Sequence, residues 1–353
     1  MEKLASFYKD KNVLVTGHTG FKGAWLTEIL LRFGAKVTGI SKNVPTNPAL
    51  FELLDHESRI SHHMFDLCKK DFQLDLVSAN PEIIFHLAAQ PLVIPSYEDP
   101  VYTHRNNYLS TLNLLETSRQ LPSLKALVIV TTDKVYADIP CEYGYLETDP
   151  LGGHDPYSAS KSACEILTQS YAKSFFQKSA KVATARAGNV IGGGDWAPYR
   201  LLPDAYRAWA SNSPLEIRHP NHIRPWQHVL EPLFGYLQLA FYLNETSNSN
   251  YEFEAFNFGP DTKTRCTVHS LVEMLRTGWS NLKINSFDSS PKALLKESAF
   301  LTLDSSKARI ALGWKPKLSL EQTVKLTLEW YRQYQENRDV LSLTKLQIDS
   351  FML

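Results

Sequence analysis

The stretch NVLVTGHTGFKG, residues 12–23, decides the fold. An apolar run at 13–15 leads into three glycines, Gly17, Gly20 and Gly23, spaced as GxxGxxG. In a strand-to-helix turn the first glycine permits the tight turn, the second lets the backbone approach a pyrophosphate, and the third lets helix and strand pack closely. The helix N-terminus that follows supplies N–H donors and partial positive charge. The stretch therefore predicts a strand, a phosphate-binding loop and the start of a helix.

The surrounding sequence continues this alternation through the first half of the chain. A helical pattern over 22–33 stops at Gly34, and a β-rich run at 36–40 completes a βαβ unit. Further strands are predicted at 60–65, 83–87, 126–130 and 182–185, and further helices at 67–79, 101–119 and 157–176. The alternation predicts an α/β fold with a Rossmann-like, doubly wound parallel sheet.

The regular alternation of strand and helix patterns ends near Gly188. A glycine-rich loop occupies 192–195, and helical patterns return at 201–211, 227–243, 268–279 and 320–334. We predict a dinucleotide-binding domain over 1–187 and a smaller C-terminal α/β substrate-binding lobe, mainly over 188–353. A later strand within 225–258 is a candidate to return to the first domain.

The composition argues against several classes of binding partner and location. The 353 residues contain 37 Lys and Arg against 37 Asp and Glu, so no overall field favours nucleic acid or an acidic membrane. The four cysteines lack the spacing of a disulfide framework or a zinc site, which predicts reduced thiols and no metal. The N-terminus has no apolar signal core, and the most apolar later stretch, 232–243, is too short to cross a bilayer. These features predict a cytoplasmic protein.

A candidate catalytic pair lies at 157–161, where the sequence reads YSASK. Tyr157 and Lys161 are four residues apart on a predicted helix and so share one face. A nearby ammonium favours the phenolate, which gives a base for removing a hydroxyl proton from a sugar. Such pairs also arise by chance on solvated helix faces, so the interpretation depends on the phosphate loop upstream.

Polar residues at the end of a predicted buried strand form a second candidate. Thr132, Asp133 and Lys134 follow the strand at 126–130, at the sheet edge where α/β proteins bind ligands. Thr132 is placed to bond the substrate hydroxyl or the tyrosine, and Asp133 with Lys134 to act as an acid/base pair. The alternative is that Asp133 caps a turn and Lys134 is a surface charge.

The choice between NAD and NADP stays open at this point. An acidic residue after the second strand would select the free ribose 2′-hydroxyl, but the sequence has Ser41, Lys42 and Asn43 there, and Lys42 would tolerate a 2′-phosphate. Asp66 is placed either to bond the adenine amino group or to cap the helix that begins at 67.

Together these motifs resemble the extended short-chain dehydrogenases/reductases, with HLAAQ at 86–90 as a further shared motif. Two blocks are more specific, RAGNVIGGGDW at 186–196 and IRPWQHV at 223–229, and they resemble the CDP-glucose 4,6-dehydratase family. The resemblance extends over nearly the whole chain.

The resemblance implies an internal redox reaction on CDP-glucose with tightly bound NAD. Oxidation at C4, loss of water from C5 and C6, and reduction at C6 would give CDP-4-keto-6-deoxyglucose, a precursor of sugars in surface polysaccharide such as O-antigen. Asp133 would protonate the leaving C6 hydroxyl. Lys134 stands where many relatives have glutamate and is the candidate base at C5, a role that requires a neutral amine.

The resemblance also implies the binding residues. For the cofactor they are Gly17, His18, Thr19, Gly20, Phe21, Lys22, Gly23, Asn43, Asp66, Leu67, Leu87, Ala88, Ala89, Gln90, Asn107, Thr131, Tyr157 and Lys161. For the substrate they are Gln90, Asn189, Arg200, Arg224 and Glu297, with the arginines facing the diphosphate and Trp196 or Trp226 lining the base or sugar pocket. The helices at 101–119 and 157–176 would pair with a partner's copies as a four-helix bundle, which predicts a homodimer.

Two other functions remain compatible with the sequence. A related epimerase or dehydratase acting on a dTDP- or GDP-hexose would use the same loop, Tyr157 and Lys161, and an epimerase needs no acid/base pair at 133–134. A non-catalytic NAD-binding scaffold is the alternative of a different class, and the complete set of catalytic side chains argues against it.

Overall fold

The computed structural model describes residues 1–69, 73–138, 143–177, 179–246, 251–262, 265–285 and 300–353. In chain order its strands are β1 Asn12–Thr16, β2 Lys36–Ser41, β3 Ser61–Met64, β4 Ile83–His86, β5 Ala126–Val130, β6 Lys181–Ala187, β7 Val190–Ile191, β8 Pro214–Glu216, β9 Ile223–Arg224, β10 Gln227–His228, β11 Glu254–Phe258, β12 Cys266–Thr267 and β13 Lys283–Asn285. Its helices are α1 Glu2–Tyr8, α2 Phe21–Arg32, α3 Leu50–Leu53, α4 Gln73–Ala79, α5 Val93–Glu98, α6 Pro100–Ser118, α7 Pro156–Tyr171, α8 Leu201–Ala210, α9 Leu230–Glu245, α10 Val268–Arg276, α11 Ser306–Leu312, α12 Leu320–Gln335 and α13 Val340–Met352.

Seven parallel strands form the central sheet in the order β11-β6-β5-β4-β1-β2-β3. The predicted Rossmann-like sheet is therefore confirmed. The chain winds from β1 outward through β2 and β3, and then returns to place β4 on the other side of β1. This reversal opens a crevice at the carboxyl ends of β1 and β4, where doubly wound proteins bind ligands.

Both faces of the sheet are buried. Val13 and Val15 of β1 pack into one apolar cluster, whereas Leu14 between them packs into another on the opposite face. The same alternation appears in β4, where Ile84 faces away from its two neighbours. A strand buried on both sides is an uninterrupted apolar run, and this explains why β1, β4 and β5 were recognisable in the sequence.

The elements after 188 differ more from expectation. β11 pairs with β6 and adds the seventh strand to the central sheet, within the range foreseen for a returning strand. The helix predicted over 227–243 begins at Leu230, because Gln227 and His228 pair with β7 instead. The helix predicted over 67–79 is described from Gln73 onward. No helix in the described ranges is long and apolar enough to span a bilayer.

An aromatic cluster anchors α8 and α12 to the loop after β7. The Trp196 ring lies 5.4 Å from Tyr331, 4.8 Å from Tyr334 and 5.3 Å from Tyr206, measured between centroids. The prediction that Trp196 lines a ligand pocket is therefore not supported, since its ring is used in packing. Trp226 does line the cavity described below.

Candidate active site

A cavity of about 460 Å³ lies at the carboxyl ends of the central strands. Loops after β1, β2, β4, β5 and β6 form one wall, and residues of α8, β8 and β9 form the other. The phosphate loop, the residues at 131–134 and the YSASK helix, which are far apart in sequence, all contribute side chains or backbone to this one cavity.

The glycine loop has the backbone of a pyrophosphate cradle. Gly17 has φ +74°, and a β-carbon there would lie 2.7 Å from the amide nitrogen of Ala88. A β-carbon at Gly23 would overlap the carbonyl oxygen of Gly17. Gly20 is the N-cap of α2 and provides no side-chain cap, so the first-turn N–H groups remain available to an anion. The residues present therefore fit a dinucleotide pyrophosphate.

His18 belongs to this loop, but its side chain turns away from the cavity. Its Nδ1 lies 2.9 Å from the hydroxyl of Ser41, and its Nε2 lies 2.7 Å from Nδ1 of His62. Burial, together with the neighbouring His62, lowers the pKa of His18 to about 3, so the ring is neutral. Its side chain holds the loop against β2 and does not reach the cavity wall.

The wall beyond β2 contains the residues predicted for the adenosine end. Thr19 donates its hydroxyl to the carbonyl of Asn43 at 2.8 Å, which joins the glycine loop to this wall. Asp66 accepts the amide of Cys68 at 3.0 Å and also pairs with Lys42 at 3.0 Å. Asp66 thus accepts a backbone N–H two residues along the chain and also lines the cavity. The wall continues through Leu67, Leu87, Ala88, Ala89 and Thr131.

Gln90 and Asn107 support the wall from behind. Oδ1 of Asn107 accepts the Gln90 amide at 2.7 Å, and its Nδ2 donates to the Gln90 carbonyl and to Ser160 Oγ. The Gln90 side chain bonds Thr103 and the backbone of Leu92. Both are predicted to contact ligands. In the structure their side chains join the loop after β4 to α6 and α7.

Tyr157 and Lys161 lie on the α7 face that meets the end of β5. Burial raises the pKa of the Tyr157 phenol, while a hydrogen bond with Thr132 and the charge of Arg200 act in the opposite direction. Lys161 donates from Nζ to the carbonyl of Val130 at 3.0 Å. The strand end therefore fixes the ammonium, whereas the pKa of the phenol is controlled by groups on other elements.

Asp133 is a buried carboxyl in the cavity wall with only one of its two oxygens hydrogen-bonded among the described residues. Thr132 donates its hydroxyl to Oδ1 at 3.0 Å, whereas Oδ2 is buried and has no hydrogen-bond partner among the described residues. Burial raises the pKa of Asp133, opposed mainly by the charge of Lys134. Polar atoms of this kind are normally satisfied, so an unpartnered oxygen in a cavity wall indicates a group that bonds a ligand. Lys134 also lines the cavity.

Two more cations, Lys22 and Arg200, line the same cavity. Lys22, from the first turn of α2, has its pKa lowered to about 8 by burial and by the charge of Arg200. Arg200 donates to Asp195 Oδ2 at 3.0 Å, and its charge also acts on Tyr157. The role of Asp195 as the anchor of Arg200 was not predicted, because the glycine-rich spacing around it does not indicate where the carboxylate points.

A cluster of basic side chains also lines the cavity. Arg224 lies with Nη2 3.1 Å from Nδ1 of His222, and the His222 ring stacks on His219 with centroids 4.3 Å apart. Asn189 and Arg224, both predicted for the substrate, line the cavity, whereas the histidines were not foreseen. Glu297, the remaining substrate candidate, lies outside the described residues. Within the described ranges no group of three or more metal-type side chains converges.

Comparison with known proteins gives a consistent result. A family model described as GDP-mannose 4,6 dehydratase matches residues 14–327. The chain is 40% identical to the CDP-glucose 4,6-dehydratase of Salmonella typhimurium over 98% of both chains. It is 27% identical to the dTDP-glucose 4,6-dehydratase of Neisseria gonorrhoeae, with 91% of this chain and 95% of the relative covered. The structure resembles UDP-glucuronic acid 4-epimerase from Bacillus cereus in complex with UDP-glucuronic acid and NAD, with a TM-score of 0.78, 23% identity, and 91% and 99% of the two chains covered.

Proposed function

The chain belongs to the GDP-mannose 4,6-dehydratase family, and we propose that it converts CDP-glucose to CDP-4-keto-6-deoxyglucose and water with bound NAD. The observation that carries the dehydration is the buried carboxyl of Asp133, which has one oxygen unpartnered in the cavity that also holds Tyr157. An epimerase has no need of an acid at this position. The relative with 40% identity supports CDP-glucose as the substrate.

The cofactor is proposed to lie along the glycine loop, with the pyrophosphate on the N-terminus of α2 and the adenosine near Asn43 and Asp66. When bound there, NAD would supply the acceptor, and later the donor, of the hydride exchanged with the sugar. Asp66 pairs with Lys42 at 3.0 Å, and this arrangement favours NAD over NADP because the Lys42 charge is already paired where a 2′-phosphate would need it. Several similar solved structures, such as the Bacillus cereus epimerase, contain NAD.

The first chemical task is removal of the C4 hydroxyl proton, which we assign to Tyr157. Its phenol lies beside Thr132, and the hydroxyl of Thr132 is placed to hold the phenol or the sugar oxygen. Burial disfavours the phenolate, and the charge of Arg200 opposes that effect. We propose that Lys161, four residues along the same helix, adds to the stabilisation. Lys161 is held by its bond to the Val130 carbonyl.

The second task is elimination of water across C5 and C6. Burial raises the pKa of Asp133, a shift that favours its protonated form, and this carboxyl is proposed to protonate the departing C6 hydroxyl. Lys134, in the same wall, is proposed as the base that removes the C5 proton, which the neighbouring 4-ketone has made acidic. This role requires that Lys134 lose its own proton before the step, since an ammonium cannot accept one. The electrons of the C5–H bond form the C5–C6 double bond as the C6–O bond breaks.

The nucleotide end of the substrate is proposed to lie against Asn189 and Arg224, with Trp226 alongside. An anionic diphosphate in a protein of zero net charge requires local cations. Arg224 is 5% exposed in total and opens to the cavity, which suits a charge-assisted bond to a phosphate oxygen. Arg200 is better placed for the sugar end, since its charge acts on Tyr157.

We infer that the protein is a homodimer joined through α6 and α7. Asn107 and Ser160 hold these helices together on their inner faces, 2.9 Å apart. On the outside, Tyr108 of α6, Ile166 of α7 and Phe175 just after it are exposed, with Ile166 at 58%. Two copies of this helix pair would bury these side chains in a four-helix bundle. Light scattering that shows only monomer at micromolar concentration would contradict this arrangement.

The direct test is incubation of the purified protein with CDP-, dTDP-, GDP- and UDP-glucose, followed by the alkaline absorbance of a 4-keto-6-deoxy sugar. We expect the chromophore with CDP-glucose at the highest kcat/KM. An epimerised hexose without the chromophore would refute dehydration, and a higher kcat/KM with another nucleotide would refute the proposed substrate. Mass spectrometry of nucleotide released on denaturation identifies the bound cofactor, for which we expect NAD.

A further inference from the structure

A buried ion pair lies one helical turn beyond Lys161. Glu165 of α7 and Arg186 of β6 are 1% and 4% exposed in their side chains. The guanidinium donates twice, from Nε to Oε1 at 3.0 Å and from Nη2 to Oε2 at 2.8 Å. Burying two charges is costly unless the geometry is good and the remaining bonds are made. Because even a well-bonded buried ion pair often adds little net stability, another role for Glu165 and Arg186 has to be considered.

The Glu165 carboxylate connects three elements of the catalytic region. Oε1 also accepts the hydroxyl of Thr131, at the end of β5, and Oε2 accepts the hydroxyl of Thr184 in β6 at 2.7 Å. Each oxygen thus accepts one threonine hydroxyl and one guanidinium N–H. Thr131 is the residue before Thr132, so the carboxylate fixes the strand end that positions Thr132 and Asp133.

Arg186 extends the network to the segment that follows Asp133. Its Nη1 donates to the Tyr136 hydroxyl at 2.9 Å and to the Glu147 carbonyl at 3.1 Å. The Tyr136 hydroxyl in turn donates to Oδ1 of Asn257, in β11, at 2.6 Å. The short turn that contains Asp133 and Lys134 is therefore held on one side by Thr131 and on the other by Tyr136.

We propose that Glu165 is a positioning residue, which locks the helix bearing Tyr157 and Lys161 to the strand end bearing Thr132 and Asp133. This inference rests on the proposed function, because it concerns the same catalytic groups. Glu165 contacts neither the cavity nor the groups that react. It acts by fixing the relative placement of the phenol and the carboxyl, where a displacement of about 1 Å can cost on the order of 10²-fold in rate.

The same carboxylate contributes to the charge around Lys161. Burial lowers the pKa of Lys161, and Cys164 and Glu165 act in the opposite direction. The other titratable groups that face Lys161 are Lys22 from α2 and His86 from β4, whose own pKa values are lowered in part by the Lys161 charge. Glu165 supplies the negative charge that helps keep Lys161 an ammonium.

The test compares Glu165→Gln with Glu28→Gln, a matched control in another buried ion pair. Glu28 lies on α2, 0% exposed, and accepts from Arg59 and His56 outside the cavity wall. With CDP-glucose we expect Glu165→Gln to lower kcat about 10- to 100-fold with KM within about twofold. The alkaline limb of the kcat profile should move to lower pH, because Lys161 loses a neighbouring negative charge. Glu28→Gln should leave both kcat and the pH limb at wild-type values, even if its melting temperature falls.

A second variant removes the risk that a lone buried arginine prevents folding. Glu165→Gln combined with Arg186→Met deletes both charges at similar volume, a change that is often tolerated. It should show the same loss of kcat. Hydrogen exchange gives a readout that needs no turnover, and we expect faster exchange at 131–136 and 156–165 in both Glu165 variants only.

The outcomes separate this inference from the proposed function. A folded Glu165 variant with wild-type kcat, pH limb and exchange would overturn the positioning role while the dehydratase activity stands. A wild-type protein that turns over none of the nucleotide-hexoses would overturn the proposed function, and hydrogen exchange would then decide whether Glu165 still orders the two segments.

Discussion

The hydroxyl of Thr132 donates to Oδ1 of Asp133 at 3.0 Å, and this bond leaves Oδ2 of the same carboxyl buried without a partner among the described residues. The bond fixes the rotation of the carboxyl. Asp133 lines the cavity that also holds Tyr157 and the glycine loop. The carboxyl is therefore prepared to donate a proton to a ligand oxygen.

Replacing this acid should separate the two halves of the reaction. We expect Asp133→Asn to lower the rate of dehydration about 10²- to 10⁴-fold, the usual contribution of a general acid. Oxidation at C4 should persist, because Tyr157 and Lys161 are intact, so reduced nicotinamide should accumulate and be visible by absorbance. Asp349→Asn, which alters a surface pair with Arg32, is the control and should leave turnover unchanged. Full dehydration by Asp133→Asn would remove Asp133 from the mechanism.

The same substitution should stabilise the folded protein above neutral pH. Burial raises the pKa of Asp133, so the folded state binds its proton more tightly than the unfolded state. That contribution favours folding at low pH and is lost as the pH rises through the raised pKa. An asparagine stays neutral throughout. Thermal melts should therefore show a melting temperature for Asp133→Asn above wild type at pH 8, with the difference shrinking toward pH 4. If the difference in melting temperature between Asp133→Asn and wild type instead grew as the pH fell, the pKa of Asp133 would not be raised in the folded protein.

Two glycines in the phosphate loop should respond differently to alanine. Gly20 has φ −78° and ψ 167°, which alanine adopts, and its β-carbon would meet only the Gly17 carbonyl oxygen, at 3.4 Å. Gly20→Ala should fold with stability within about 0.5 kcal/mol of wild type but bind NAD at least 10-fold more weakly, because the methyl group occupies the space that a pyrophosphate approaches. Gly23→Ala should be strongly destabilised, since its β-carbon overlaps backbone. Calorimetric titration and melting curves measure both effects; unchanged NAD affinity in Gly20→Ala would place the pyrophosphate elsewhere.

Removing the negative charge that pairs with Lys42 should raise the affinity for NADP relative to NAD. Asp66→Asn keeps an acceptor for the Cys68 amide but removes the charge that pairs with Lys42. A freed ammonium near a 2′-phosphate is worth about 1 kcal/mol in an exposed setting, or about fivefold in affinity. We expect the ratio of NADP to NAD affinity to rise by that factor, and to fall back when Lys42→Gln is added. A ratio that does not move would show that the pair does not discriminate between the cofactors.

Backbone-level features of the site could be predicted from sequence, whereas side-chain directions could not. Glycine spacing fixes the turn at 17–23, and a separation of four residues places Tyr157 and Lys161 on one helix face. The residues between the glycines carry no such constraint, and His18 consequently turns toward His62 while Lys22 turns into the cavity. The convergence of Arg200 and Asp195 with Tyr157 depends on packing between α8 and the sheet, which no local pattern records.

The missed elements have similar explanations. β10 is two residues long and exists only because β7 lies beside it, so Gln227 and His228 resembled the start of a helix. α13 was not predicted, although its sequence contains the signals of a helix. Asp339 caps it by accepting the Ser342 amide at 3.0 Å, and its buried residues, such as Leu343, Gln347 and Phe351, recur at helical spacing.

The most direct test of the account is the fate of deuterium placed at C4 of CDP-glucose. Tyr157, Asp133 and the dinucleotide loop share one cavity, and the account therefore requires oxidation at C4 and reduction at C6 within one bound molecule. Nuclear magnetic resonance of the product should find the deuterium at C6 of a 4-keto-6-deoxy sugar. Deuterium retained at C4 of a hexose, or lost to solvent from an oxidised product, would contradict it.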